Sequence, residues 1–580
     1  MKLNIRILPI LLSSVIILTT SACNDDFLQD GSVTDGPIRE DEVWANDAYA
    51  RGVLNNAYFS IPEGFDIDGN GGMLASATDE AVNSGVNATM SIFNNGTWSP
   101  LRTVDDQYAN LYEGLRKVNM FLGNLDGSEI IPTDGLSIAE DKSRLKGQAF
   151  FLRAMLHFEL VKRYGAVTLA TRVFSRDENL NLPKNSYQEC VKQIVADCDS
   201  ALKQNLPVWT RQEYSPIDAS TRFAWRSGDK GRATKAAAMA LKSRMLLYAA
   251  SPLFSTASQV TWQEAADAAK AVIDLNAHSL FNNYTNIFNY GAAQYNAEVI
   301  FATRALNRND IEQDNAPIGY DGARGRTNPT QELVNAFETT NGKSVNDPTN
   351  TLYNPDDPYK NRDPRFSFAI NHNERQYKGR PVQTYVGGLD GLNKSIDATK
   401  TGYYMRKFLS EAPTWNENSN TFARRPWVVF RYAEMLLNYA EALNEAQGEA
   451  AATEVLSFVN LVRNRNGVNM PPLQTTDPAG NGYVPLNKDA IRERIHNERR
   501  VELCFEGHRF YDVRRWKQGE LYLNKPVSGM RITFDENANR VYTPFIVENR
   551  VFQEKNYLYP FSQNTVNRQP ALIQNPGYTN

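Results

Sequence analysis

Asn497-Glu-Arg-Arg-Val-Glu-Leu-Cys-Phe-Glu-Gly-His-Arg-Phe-Tyr-Asp-Val-Arg-Arg-Trp516 packs acids, arginines and aromatics too densely for a solvated helix. On a helical wheel at about 100° per residue, Ile491, Ile495, Val501 and Phe505 share one face, and Glu498 and Glu502 fall in its middle. Two carboxylates on an apolar stripe need partners, because an unpaired buried charge is very costly. Arg494 flanks them, and Arg509 can fold back after the break at Gly507. The stretch therefore reads as an internal clamp of Glu498, Glu502, Arg494 and Arg509, in preference to a catalytic acid pair.

Working outward, residues 143–164 place Leu145, Ala149, Leu152, Leu156 and Leu160 on one stripe, with Phe151, Met155, Phe158 and Val161 on a second. A helix with two apolar faces lies between neighbours, as in stacked helical repeats. Residues 186–204 open on Ser186 with Glu189 at the third helical position, a capping box. Residues 230–250 carry Ala233, Ala236, Ala237, Ala238 and Ala240, which permit close helix approach, and Ser251-Pro252 stops them. Helices over 262–274, 427–446, 450–465 and 487–505 complete the pattern. The fold class is all-α, a tetratricopeptide-like helical scaffold, although the consensus of about 34 residues is absent. Residues 60–100 and 280–425 are rich in Gly, Asn and Pro and poor in helix signals. They predict long irregular loops, where binding residues concentrate.

Asn497-Glu-Arg-Arg…Phe505-Glu-Gly-His-Arg-Phe-Tyr-Asp-Val-Arg-Arg-Trp516 resembles the signature of the SusD/RagB family. Further segments agree in order: Cys23-Asn-Asp-Asp-Phe-Leu28, Phe151-Leu-Arg-Ala154, Asp363-Pro-Arg-Phe366, Phe430–Glu445 and Gln574-Asn-Pro-Gly-Tyr578. The resemblance implies a nutrient-binding lipoprotein on the outer membrane of Bacteroidetes. It also implies tetratricopeptide-like helix pairs covered on one side by loops, and a SusC-like TonB-dependent transporter as partner. It does not identify the ligand.

Met1–Ala22 reads as a secretory signal: Lys2 and Arg6 precede a short apolar run, Ile7–Leu18, interrupted by Pro9. Small residues before Cys23 match a lipoprotein signal, in which Cys23 becomes the acylated N-terminus and anchors the chain to the outer membrane. Residues 23–37 then form a flexible tether, and 38–580 are read as one domain. The formal charge of −4 argues against nucleic acid, which demands a basic face. Cys190, Cys198 and Cys504 read as small buried apolar residues. The five histidines show no metal-ligand spacing.

A sugar ring presents C–H groups on its faces and hydroxyls on its rim. It is met by a flat aromatic plate plus planar polar groups. Asp79, Asn83, Trp98, Tyr284, Tyr290 and Tyr320 lie in the loop-rich regions and are the candidate ligand contacts. Asp66-Ile-Asp-Gly-Asn-Gly71 resembles half a calcium loop, but Ala77 stands where a bidentate Glu is required. A Gly-rich turn held by Asp and Asn is the simpler reading, with calcium as the alternative and no other cofactor expected. The function expected is non-catalytic capture of an oligosaccharide. Peptide capture is the alternative within the family, and a surface glycoside hydrolase, needing two carboxylates about 5–10 Å apart, is the alternative outside it.

Overall fold

Side-chain caps set where several of the long helices begin. The computed structural model describes residues 38–579, except 86–87, 176, 209–229, 289–294, 393 and 417. Asn46 accepts from Ala48 N (3.0 Å) and opens α1, Asp47–Tyr58. Tyr108–Asn124 is α2. Capping boxes at Ser137/Glu140, Ser186/Glu189 and Thr261/Glu264 open α3 (Ile138–Tyr164), α4 (Tyr187–Leu202) and α6 (Trp262–Asp274). Thr234 caps α5, Lys235–Ala250. Near the C-terminus come α7 (Tyr432–Gln447), α8 (Ala452–Arg463), α9 (Lys488–Glu502) and α10 (His508–Arg515).

These helices pack in succession, α1 on α2 through to α6 on α7, and α7 then takes both α8 and α9. This is the stacked, tetratricopeptide-like, mostly helical scaffold that the doubly apolar helices predict. Ala236, Ala237, Ala238 and Ala240 of α5 are fully buried, so backbones approach closely on both sides of it. Cys190, Cys198 and Cys504 are buried thiols without disulfides.

The region between α6 and α7 returns as short antiparallel strand pairs. β2 (Val299–Ala302) pairs with β8 (Val428–Arg431), and β3 (Leu306–Arg308) with β7 (Ala423–Arg425). β1 (Ala81–Asn83) pairs with β4 (Thr327–Pro329), and β5 (Thr414–Asn416) with β6 (Ser419–Thr421). A longer ribbon, β9 (Val527–Phe534) with β10 (Arg540–Glu548), follows α10. Two predicted boundaries move. The helix expected from residue 427 begins at Tyr432, because Val428 and Val429 are claimed by β8. The helix expected to reach residue 505 ends at Glu502. Phe505 and Gly507 take left-handed φ of 64° and 81°, which turns Glu506 back towards Lys407 and Arg431.

Glu498 and Glu502 are indeed buried and paired, at 1% and 0% exposure. Glu498 receives Arg365 (2.5 Å) and Arg463 (2.8 Å), and Glu502 receives Arg365 (3.0 Å), Arg431 (2.7 Å) and Arg465. Glu298 joins through Arg431 (2.7 Å) and Arg465 (3.0 Å). The clamp partners inferred from the sequence are corrected here: Arg494 pairs with Glu338, and Arg509 with Asp79 at 2.8 Å. The space around Glu498 and Glu502 is already filled by guanidinium groups from distant segments, which local spacing cannot reveal. On the far side, Arg515 reaches Glu441 of α7 (2.5 Å) and Arg499 reaches Asp512 (3.1 Å).

The neighbouring arginines more than offset burial, so the carboxyls of Glu498, Glu502 and Glu506 are held below the usual glutamate range. A depressed folded-state pKa contributes stability that is complete above the unfolded value and lost as pH falls through the folded one. Urea unfolding should therefore show stability flat near neutrality and falling in acid below about pH 4–5. Glu502→Ala should lower the unfolding free energy at pH 7 by about 3–5 kcal/mol, because it strands buried cations. A loss near zero would show that the lattice carries no stability.

Candidate functional site

A cleft sized for a small ligand lies, among the described residues, where the helical stack meets the strand pairs. Chain leaves α1 at Tyr58 and passes Phe59 and Glu63; Lys230–Arg232 approach α5; Thr303–Leu306 link β2 to β3; and Arg424 projects from β7. They enclose about 630 Å³, within the range of roughly 300–1,000 Å³ of small-molecule sites. Tyr58 is fixed by donating to Gln148 Oε1 (2.9 Å) and accepting from Ala233 N (3.0 Å). Tyr295 donates to Thr303 O (2.9 Å), and burial pushes its phenol up to about 12. Phe59 is 59% exposed, an aromatic face left to solvent at the cleft, with the Arg304 guanidinium 5.9 Å from its ring centre. Glu63 is the one carboxylate among the described lining residues, and it accepts from Thr303 Oγ1 (2.9 Å) and Arg308 (2.8 Å).

The sequence-derived contacts divide. Asp79 is corrected: it is 2% exposed and salt-bridged to Arg509 (2.8 Å) and Arg500 (3.0 Å), which hold its carboxyl far below the usual range against the cost of burial. Trp98 is likewise corrected: it is 1% exposed, with its ring 4.6 Å from Phe93 and 4.8 Å from Tyr559. Tyr284 is also buried, with Arg465 over its ring at 4.5 Å. Tyr290 and Cys23 lie outside the described residues. Asn83 lines a separate cavity of about 440 Å³, with Lys400, Arg531 and Phe545, and its Oδ1 accepts from Gly85 N (2.8 Å).

Tyr320 is half-buried and its hydroxyl donates to Tyr377 O. Arg380, locked by Asp390 (2.7 Å), covers its ring at 4.0 Å. Nearby Trp415 donates its indole N–H to Asp321 O (2.8 Å), with Lys378 over the ring at 4.8 Å. Structure thus brings neither Asn83 nor Tyr320 into the main cleft.

Phe59, Arg304 and Arg424 went unnoticed in the sequence. Phe59 sits just past a helix end and the arginines flank short strands, so no periodicity marks them. The Asp66 and Asp68 carboxylates accept backbone N–H groups of Gly71 and Gly72, each at 3.0 Å, so the calcium-like run forms a Gly-rich turn. No cluster of metal-ligating side chains occurs among the described residues. Nor is any described helix long and apolar enough to cross a membrane.

A helical stack tied to loop-borne clefts by buried arginines defines a binding scaffold, and comparison with known proteins identifies which. The chain belongs to the SusD family, whose model matches residues 286–578. A second model, described as starch-binding associating with outer membrane, matches residues 70–247. A SusD-like protein of Bacteroides fragilis superposes with a TM-score of 0.75 at 28% identity, over 93% of this chain and 99% of that one. A SusD-like carbohydrate binding protein from the same species gives 0.73 at 25% identity, over 92% and 100%. SusD-like protein P25 of Formosa agariphila is 22% identical across 71% of this chain and 70% of its own length.

The reassignment of Trp98 is directly testable. Trp98→Ala should cost about 3–5 kcal/mol of stability, as expected for a truncated core aromatic. Trp415→Ala should leave the melting temperature within about 2 °C of wild type. Equal melting curves for the two variants would return Trp98 to the surface.

Proposed function

We propose that this protein is a non-catalytic binding lipoprotein that captures an oligosaccharide in the Phe59 cleft and passes it to a SusC-like TonB-dependent transporter. The observation that carries the proposal is the cleft itself: a solvent-facing aromatic beside converging guanidinium, ammonium and amide groups. Phe59 supplies a plate for the C–H face of a sugar, and Asn55, Lys230 and Arg424 supply hydrogen bonds to its rim. Family membership supports the same reading, since a close structural relative is described as carbohydrate binding. Among the described lining residues the one carboxylate, Glu63, is already paired with Arg308, which supports binding without hydrolysis, because glycosidases use two. Acylation at Cys23 would hold residues 38–580 at the outer membrane as one binding unit, with residues 23–37 as the tether.

Calorimetry against plant, host and microbial oligosaccharides, with peptide pools as comparison, tests this. Saturable binding of one glycan class with no product formed is expected, and Phe59→Ala should weaken it about tenfold, the equivalent of one stacking contact. Release of shortened sugars would refute the non-catalytic role, and binding confined to peptides would refute the ligand class.

A further inference from the structure

Most buried arginines of this protein meet carboxylates, while Arg362 and Arg514 donate to backbone carbonyls. Arg365, Arg431, Arg463, Arg465, Arg509 and Arg515 are each salt-bridged to at least one carboxylate. Lys230, Arg304 and Arg424 line the Phe59 cleft, and Glu63 is the one carboxylate among its described lining residues. Glu63 is spent on Arg308 and Thr303. Lys230 and Arg304 lie over aromatic rings, Tyr295 at 5.6 Å and Phe59 at 5.9 Å. Among the described residues, no salt bridge joins Lys230, Arg304 or Arg424 to a carboxylate. Partial burial and then the nearby positive charge of Arg424 pull the Lys230 ammonium below its ordinary range, so the two cations feel each other.

This concentration of charge is local, since the whole chain is net acidic at −4. Like charges converging on a concave space raise its potential and focus it on whatever enters. Guanidinium groups match planar, multi-oxygen anions such as carboxylate and sulfate.

We propose that the Phe59 cleft selects an anionic saccharide, one carrying carboxylate or sulfate groups, held by Lys230, Arg304 and Arg424 while its ring rests on Phe59. A neutral glycan would leave the cations mutually repelling; an anionic one replaces that repulsion with charge-assisted hydrogen bonds. The enclosed shape fits a short saccharide better than a broad surface such as a membrane or duplex, which calls for a wide basic face. This inference rests on the oligosaccharide-capture reading and sharpens it.

The test is calorimetry of the purified protein with four probes: oligogalacturonate (carboxylate), sulfated galactan oligosaccharide (sulfate), neutral laminari-oligosaccharide, and an oligoglutamate peptide. One or both anionic saccharides should bind saturably, and the one that binds identifies the group recognised. Affinity should fall at least about tenfold as NaCl rises from about 50 to about 500 mM. The double variant R304Q/R424Q should weaken binding by at least about tenfold with an unchanged melting curve, and R304K/R424K should restore part of it. R424Q alone, at an exposed position, serves if the double variant is unstable. Binding of the neutral sugar alone, indifferent to salt and to the glutamines, would overturn the anionic selection yet leave oligosaccharide capture standing. Binding of the peptide alone, or of none of the four, would overturn both.

Discussion

Glu502 is the residue on which most of the architecture converges. It sits at the last position of α9, fully buried, and is shared by Arg365, Arg431 and Arg465. Arg431 ends β8, Arg365 lies far upstream in the strand-rich region, and Arg465 follows α8. One carboxylate therefore fastens three otherwise separate pieces of chain to the helical stack. Desolvating so many charges is expensive, and a well-packed apolar substitute could match their stability. What apolar packing cannot match is directionality. Each guanidinium must meet its carboxylate at a fixed angle, so the loops can dock in one arrangement only.

The same residue type then plays two parts. In the interior, most arginines are matched by acid and become structure. In the Phe59 cleft, Arg304 and Arg424 face no matching acid among the described residues, beside an exposed ring and a half-enclosed volume. A bound anion would relieve the repulsion between Lys230 and Arg424.

The helical half was legible because its signals are local. Ser186 with Glu189, the two apolar stripes of 143–164 and the alanines of α5 each report on neighbours within a turn or two. Burial of Glu498 and Glu502 was legible for the same reason, as charges on an apolar stripe. Their partners were not, since Arg365 and Arg431 are more than sixty positions away in the chain. Asp79 and Trp98 were placed on the surface because their segment is Gly- and Asn-rich. The structure instead threads them inward, against Arg509 and Tyr559. Phe59 was invisible for the opposite reason: an aromatic just past a helix end looks like core until the surrounding loops are seen to leave it uncovered.

Lattice and cleft meet in one short strand. Side chains alternate across a strand, so neighbours in β7 face opposite ways. Arg425 turns inward, 1% exposed, and pairs with Glu312. Arg424 turns outward and lines the cleft. The pairing of β7 with β3, Arg425 opposite Leu306 and Arg424 opposite Asn307, decides which arginine is structural and which is offered to a ligand. A slip of one residue would turn each to the opposite face, and in one direction it would put Ala423 in the place of Arg424 and take a cation from the cleft. The buried Arg425–Glu312 pair, by opposing such a slip, therefore sets the charge of the binding cleft from inside the protein.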